Sequence, residues 1–289
     1  MAKKLMLQGT SSGAGKTTIT LALCRIFSQD GYKVAPFKSQ NVTSNTVKTA
    51  SGDEIAISQL IQAYAARSEP VKEMNPVVLK MSTGGQGTQV ILNGKLFDTV
   101  SARDLGELKE STLLPEILKG FSMLDSTNDI VVIEGAGSPV ELNLIAGDSD
   151  IVNMGVATRV GSPVLLIGDI DRGGVFASLY GTIGLFTDTQ RALVKGTIVN
   201  RFKGDIDRFE DGKEILQRIT GVPVAGIVPY LEIDLPEEDE LIAGSGNRQQ
   251  GEVDLGNKDN FDKQIDTVAN HIRTNLNMDL IYRILDEQG

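Results

Sequence analysis

Short apolar runs alternate with longer amphipathic ones from the N-terminus to about residue 230. The apolar runs are "KLMLQG" (4–9), "KVAPFK" (33–38), "DIVVIEG" (129–135), "SPVLLIGD" (162–169), "VKGTIVN" (194–200) and "VPVAGIVP" (222–229). They lack the alternation of a strand with one wet face, so they suit strands buried on both faces of a parallel sheet. Between them, helical spacing predicts helices from Gly15 to Gln29, from Glu54 to Ala66, and at about 108–120, 174–186 and 208–219. In the second of these, Ile57, Leu60, Ile61 and Tyr64 share a face. "QVILNGKLFDTV" (89–100) alternates on either side of an Asn-Gly pair and reads as a β-hairpin. This is the pattern of an α/β fold with a doubly wound, mostly parallel sheet, in which ligands gather at the carboxyl ends of the strands.

The pattern breaks after Tyr230. "EIDLPEEDE" is acidic and "GSGNRQQGEVDLGNKDN" offers almost nothing to a core, so 236–260 reads as a linker or mobile loop. Helical periodicity returns through Ile265, Val268, Ile272 and Leu276. A second short helix is predicted after Asn277, carrying Leu280, Ile281, Ile284 and Leu285. The expected organisation is one domain over 1–235, the linker, and a helical tail over 261–289. The tail is expected to dock on the domain; a partner-binding element is the alternative. No internal repeat is visible.

Composition prunes the functions. The chain has 289 residues, a formal net charge of −10 and a pI near 4.7, which excludes the basic surface that nucleic acid requires. No apolar run approaches the roughly 20 residues of a membrane span. "MAKKLMLQGT" is too short for a signal peptide and reads as the first strand. With one cysteine and one histidine, neither an internal disulfide nor a Cys/His metal site can form, and a cytoplasmic location is expected. Cys24, in "TLALCRIF", is expected in the core, and His271 is expected to be a solvated residue of the tail.

"GTSSGAGKTT" (9–18) follows a strand and opens a helix. Small residues there let backbone N–H groups turn inward on phosphate oxygens, and the helix N-terminus adds positive potential. Ser12, Gly13, Ala14, Gly15, Lys16, Thr17 and Thr18 are therefore candidates to bind ATP. Lys16 would bridge the β- and γ-phosphates and the Thr17 hydroxyl would bind Mg²⁺. The loop is a variant, because Thr10 takes the place of the usual first glycine and Gly9 stands one residue earlier. Glu134 ends a strand where a carboxylate would face this loop and bind Mg²⁺ directly or through water. Gly135 and Gly137 would keep the following backbone close to the phosphates.

"PFKSQN" (36–41), "MNPVVLK" (74–80), "GAGSPVELNL" (135–144) and "GDIDRGGVFASLYGT" (168–182) place further polar groups at predicted strand ends. If these belong to one sheet, they would line a wide polar pocket for a large anionic substrate. Ser39, Gln40, Asn41, Asn75, Lys80 and Ser138 are the candidate substrate-binding groups. These segments, with "DIVNMGVA" (150–157), "VNRFKGD" (199–205) and "TGVPVAGIVPYL" (220–231), stand in the order found in one family. Over about residues 4–235 the chain resembles the synthetase half of the cobyric acid synthases, amide ligases of cobalamin biosynthesis. Wider relatives are the cobyrinic acid a,c-diamide synthases and dethiobiotin synthetases. The fold implied is their P-loop NTPase type, dethiobiotin synthetase-like.

The resemblance implies a reaction. ATP would phosphorylate the b, d, e and g carboxylates of adenosylcobyrinic acid a,c-diamide, and ammonia would displace phosphate to give the amides of cobyric acid. Beside Lys16, Lys38 matches the lysine after the second strand, near the transferring phosphoryl group. Asp169, Asp171 and Arg172 match a segment that faces substrate or serves the acyl-phosphate step. Asn200 matches an adenine-reading asparagine, and Glu54 a second metal-binding acidic position, although "EIAI" replaces the family's usual "EIGR" there. The family continues into a glutamine amidotransferase domain that this chain does not contain. The ammonia would come from a separate glutaminase subunit or from solution, unless the chain is a truncation. Homodimerisation is implied by the resemblance alone.

Two other readings remain at this point. One is an ATPase switch or scaffold of the same fold; Ser11 stands where the division and plasmid-positioning ATPases carry an extra lysine, which weighs against it. The other is an amide ligase acting on another tetrapyrrole or a smaller acid.

Overall fold

The computed structural model describes residues 1–81, 87–141, 149–232 and 258–288. The chain opens with β1 (Lys3–Gly9), α1 (Lys16–Gln29) and β2 (Val34–Phe37). There follow β3 (Gln40–Val42), β4 (Thr46–Lys48), β5 (Glu54–Ala56), α2 (Ile57–Ala65), β6 (Val77–Met81), β7 (Thr88–Leu92) and β8 (Lys95–Val100). Next come α3 (Ala102–Leu108), α4 (Leu114–Thr127), β9 (Ile130–Glu134), α5 (Met154–Val160), β10 (Val164–Asp169), α6 (Val175–Leu185) and α7 (Asp188–Leu193). The rest is β11 (Val194–Phe202), α8 (Glu210–Thr220), β12 (Val224–Pro229), α9 (Lys258–Asn275) and α10 (Met278–Asp286).

Six strands form one parallel sheet in the order β12-β11-β10-β1-β9-β2. Both faces are dry, as the unalternating apolar runs require. Leu5, Leu7, Val132, Ile167 and Ile198 point into one layer. Met6, Ile133, Leu166 and Val199 point into the other. The chain leaves β1 towards β2 on one side and reaches β11 and β12 on the other, so the order reverses beside β1 and opens a crevice at the strands' carboxyl ends. Right-handed crossovers running in opposite directions place helices on opposite faces. Accordingly α1 lies on one face and α6 on the other.

That rule would leave the α1 face of β10 to β12 uncovered. The C-terminal helices fill it: Phe261, Ile265, Ile272 and Ile284 are buried in the same cluster as Ile198 and Ala225. The Asn277 N–H donates to the Ala225 carbonyl at 2.7 Å, and Gly226 pairs with Leu276. Glycine is needed at 226, because a Cβ there would lie 2.4 Å from the Asn275 carbonyl oxygen. The fully buried Arg25 of α1 pairs with Asp262 and Asp266 of α9, and Arg273 pairs with Asp30 at 2.8 Å.

The hairpin forms as expected, with Asn93 (φ 49°) and Gly94 (φ 78°) in the positive-φ geometry of a two-residue turn. Three expectations need correction. The helix predicted from Glu54 begins only at Ile57, because residues 54–56 pair with β4 as a short ribbon. "MNPVVLK" does not end a strand of the main sheet; β6 joins β3, β7 and β8 in a separate mixed sheet. The helix expected at 108–120 is a composite of α3, a wider π-helical turn over 109–113, and α4. Of the stretch read as a linker, 236–260, all but 258–260 lies outside the described residues, and those three open α9. Among the described residues no helix is long and apolar enough to cross a membrane.

Ile265 is fully buried between α9 and α1's side of the sheet. Ile265→Ala should lower the unfolding free energy by about 2–5 kcal/mol, read as a shift of the urea midpoint. An unshifted midpoint would mean that the tail is not part of the cooperative core.

Candidate active site

The loop after β1 closes tightly on itself. Gly13 (φ 72°) and Gly15 (φ 98°) take backbone conformations that L side chains rarely adopt. At Gly15 a Cβ would also sit 2.0 Å from the Asn200 side-chain nitrogen. That amide, near the end of β11, donates to the Ala14 carbonyl at 2.9 Å and fastens the loop to a strand one removed from β1. The Lys16 ammonium donates to the carbonyls of Gly137 (2.7 Å) and Ser11 (3.1 Å). Burial lowers its pKa, with Glu134 opposing and Lys38 adding to the shift. Ser12 is exposed and Thr18 half-buried at the start of α1.

Glu134, at the end of β9, is 1% exposed and is the centre of the site. One carboxylate oxygen accepts from the Thr17 hydroxyl at 2.8 Å and from the Lys38 ammonium at 2.9 Å. The other accepts from the Gln62 amide of α2, which Gln59 in turn supports at 3.1 Å. Burial would raise the Glu134 pKa, but the Lys38 charge and the hydrogen bonds from Lys38, Gln62 and Thr17 outweigh it and hold the carboxyl below the ordinary glutamate range. Gln62 was not foreseen from the sequence. Nor was Asn153, wholly buried, whose amide donates to the carbonyls of Ala136 (2.7 Å) and Ser138 (3.1 Å) and fixes the loop after Glu134.

Residues 5–242 match the model of the CobQ/CobB/MinD/ParA nucleotide-binding domain. The chain belongs to that family. It is similar to the cobyric acid synthases of Ruminiclostridium cellulolyticum (51% identical over 241 residues) and Lachnoclostridium phytofermentans (49% over 245 residues). Each alignment covers 83% of this chain, and the chain spans about half the length of these relatives, 46% and 47%. The MinD cell division protein of Aquifex aeolicus aligns over 94% of this chain and 97% of its own, at 14% identity and a TM-score of 0.44, a distant likeness.

Within this CobQ/CobB/MinD/ParA-type domain, the remaining candidates are dispersed over separate sets of partners. Asp169, buried at the end of β10, accepts from Arg201 at 3.0 Å and lies 3.5 Å from the Arg172 guanidinium. Arg172 reaches over the phosphate loop, since a Cβ on Gly13 would meet its guanidinium at 3.2 Å. Asp171 pairs with Lys203 at 2.8 Å, nearer the surface. Gln40 and Ser138 share a separate hollow of about 260 Å³ with Lys109 and Ser149. The Ser138 hydroxyl is engaged in a turn with Val140. Ser39 and Asn41 are buried, and the Asn41 amide donates to the Ser58 hydroxyl at 3.0 Å. Asn75 is wholly buried and spends its amide on the Lys38 and Val77 carbonyls and the Ala56 N–H. Glu54 is held by Lys80 and Thr46 and shares no partner with Glu134. Burial raises and these contacts lower its pKa, with a net lowering.

A cavity of about 840 Å³ opens from Lys16 and Thr17, within the size range of small-molecule sites. His271 lines it, with Nε2 3.0 Å from the Pro229 carbonyl oxygen, and is not the solvated residue expected. Cys24 is fully buried, and burial pushes its thiol far up, as a core role predicts. The oxygen donors Thr17 and Glu134, side by side at the loop, fit a Mg²⁺ ion, which takes few protein ligands and fills its shell with water and phosphate. Among the described residues no three His, Cys, Asp or Glu side chains form a metal cluster.

The depressed Glu134 pKa has a signature in stability. Between it and the ordinary value of 4.5, the folded chain binds fewer protons than the unfolded one. This contribution is complete above that value and disappears as the pH falls through the folded-state pKa. Glu134→Gln should therefore show a shallower loss of stability on acidification than the parent, measured by urea unfolding across the acid range. Parallel acid limbs would show that Glu134 is not held ionised.

Proposed function

We propose that this chain is the ATP-dependent half of a corrinoid amide ligase of the cobyric acid synthase type. The observation that carries this reading is the near 50% identity to proteins of that name across the segments that build the site. A carboxylate resists ammonia until one of its oxygens becomes a leaving group, and phosphorylation by ATP supplies that. The b, d, e and g carboxylates of adenosylcobyrinic acid a,c-diamide are the acceptors, and cobyric acid is the product.

Phosphoryl transfer depends on position and charge neutralisation. Lys16 and the N–H groups of residues 12–18 hold the triphosphate, and Asn200 reads adenine. Thr17 and Glu134 would hold Mg²⁺, which would neutralise charge on the triphosphate. Lys38 and Arg172 flank the loop, where their charges would favour the developing negative charge on the transferring group. Asp169 orients Arg172, and Asp171 lies on the substrate side. Gln40, Lys80 and Ser138 would face the corrinoid, the buried Ser39, Asn41 and Asn75 would shape that wall, and Glu54 would supply a second metal-binding carboxylate. Ammonia arrives from a glutaminase outside these 289 residues or from solution, since the single cysteine of this sequence is buried and its thiol is held protonated. The reaction takes place in the cytoplasm, and the active unit is a homodimer.

With Mg·ATP, ammonium chloride and cobyrinic acid a,c-diamide, the product should lose about one mass unit per amide formed, and Lys16→Ala should abolish the change. ATP hydrolysis with an unchanged corrinoid would overturn this reading in favour of a switch ATPase or a ligase for another acid.

A further inference from the structure

The cavity beyond the phosphate loop is walled by two parts of the chain that the sequence keeps apart. One wall is the end of β12 with Pro229, Tyr230 and Leu231; the other is α9, which contributes Phe261, Val268 and His271. Helix α9 lies outside the matched nucleotide-binding domain, which ends at residue 242. Its position is fixed from within: Arg25, fully buried in the helix that begins at the phosphate loop, pairs with Asp262 and Asp266 on α9. One helix thus carries the phosphate site at its N-terminus and anchors the far wall from its middle.

His271 has a definable state. The Pro229 carbonyl only accepts, so Nε2 carries the proton, and in the neutral ring Nδ1 is an acceptor. No hydrogen bond to Nδ1 is made among the described residues. The polar end of the cavity takes phosphates and the α9 end is lined by apolar side chains with this one imidazole, the surroundings of a flat heteroaromatic base.

We propose that α9 forms the nucleobase wall of the nucleotide site, with His271 as its polar contact, so that purine nucleotide binding and docking of the C-terminal helices are coupled. The proposal rests on the cavity being a nucleotide site and is independent of the corrinoid.

The test is direct binding of Mg·ATP and of Mg·tripolyphosphate, which lacks base and sugar, to the full chain without corrinoid. His271→Ala should weaken ATP roughly 3- to 10-fold, the worth of about one hydrogen bond, and leave tripolyphosphate within about two-fold. The charge-neutral pair Asp262→Asn/Asp266→Asn should act in the same direction. Mg·ADP should slow amide exchange across 258–275 in the parent protein. Equal losses for both probes, no loss for either, or unchanged exchange in α9 would overturn the proposal. Should His271→Ala unfold, His271→Phe, which keeps the ring's bulk but neither donor nor acceptor, must still separate the two probes. A parent protein that binds neither probe would sink the nucleotide reading itself, whereas ATP binding without corrinoid turnover would sink only the ligase reading.

Discussion

An ionised carboxylate buried in a sheet survives only where donors surround it, and Glu134 draws its donors from three separate elements. Thr17 comes from α1, Lys38 from the end of β2 and Gln62 from α2. Satisfying one charge therefore ties the phosphate loop, the second strand and α2 to the middle of the sheet. In the proposed reaction, the same contacts gather the groups that phosphoryl transfer needs. Two ammonium ions, Lys16 and Lys38, stand beside one carboxylate, and both lie within the field of an incoming polyphosphate. Contacts within the chain hold this electrostatic arrangement, and such preorganisation is what makes a site of this kind effective.

The sheet decides where this arrangement sits. With β1 between β9 and β10, the reversal of strand order opens the crevice at the loop itself. The handedness of the crossovers then leaves the α1 face of β10 to β12 without a helix of its own. The C-terminal pair supplies the cover and, through Arg25 and its aspartates, is registered against the phosphate-loop helix. Covering a bare face and completing a cavity are here the same event. This is why a tail with no visible chemistry comes to line the site.

Much of this was legible in the sequence, for local reasons. Apolar runs without alternation gave all six strands of the main sheet, and Asn93-Gly94 gave the hairpin because its backbone geometry suits few other pairs. The phosphate loop and Glu134 were readable because their chemistry demands particular residues beside particular elements. What escaped was set by non-local pairing. "VVLK" looks like any buried strand, and only its pairing with β3 and β7 assigns it to a second sheet. Glu54 carries helical spacing forward from Ile57, yet pairing with Lys48 makes it strand. Gln62 is a polar residue inside an apolar helix face, meaningful only once α2 is laid against Glu134. His271 looked solvated because the surface that buries it lies some forty residues upstream, at Pro229.

In the proposed reaction ATP activates a corrinoid carboxylate as an acyl phosphate at the Glu134–Lys16–Lys38 cluster. The most direct measurement uses a substrate whose peripheral carboxylates carry ¹⁸O. If a carboxylate oxygen attacks the γ-phosphorus and ammonia then displaces phosphate, each amide formed leaves one ¹⁸O in the released inorganic phosphate. Phosphate free of label, with amide formed, would contradict the account, because the carboxylate would then never have been bonded to phosphorus.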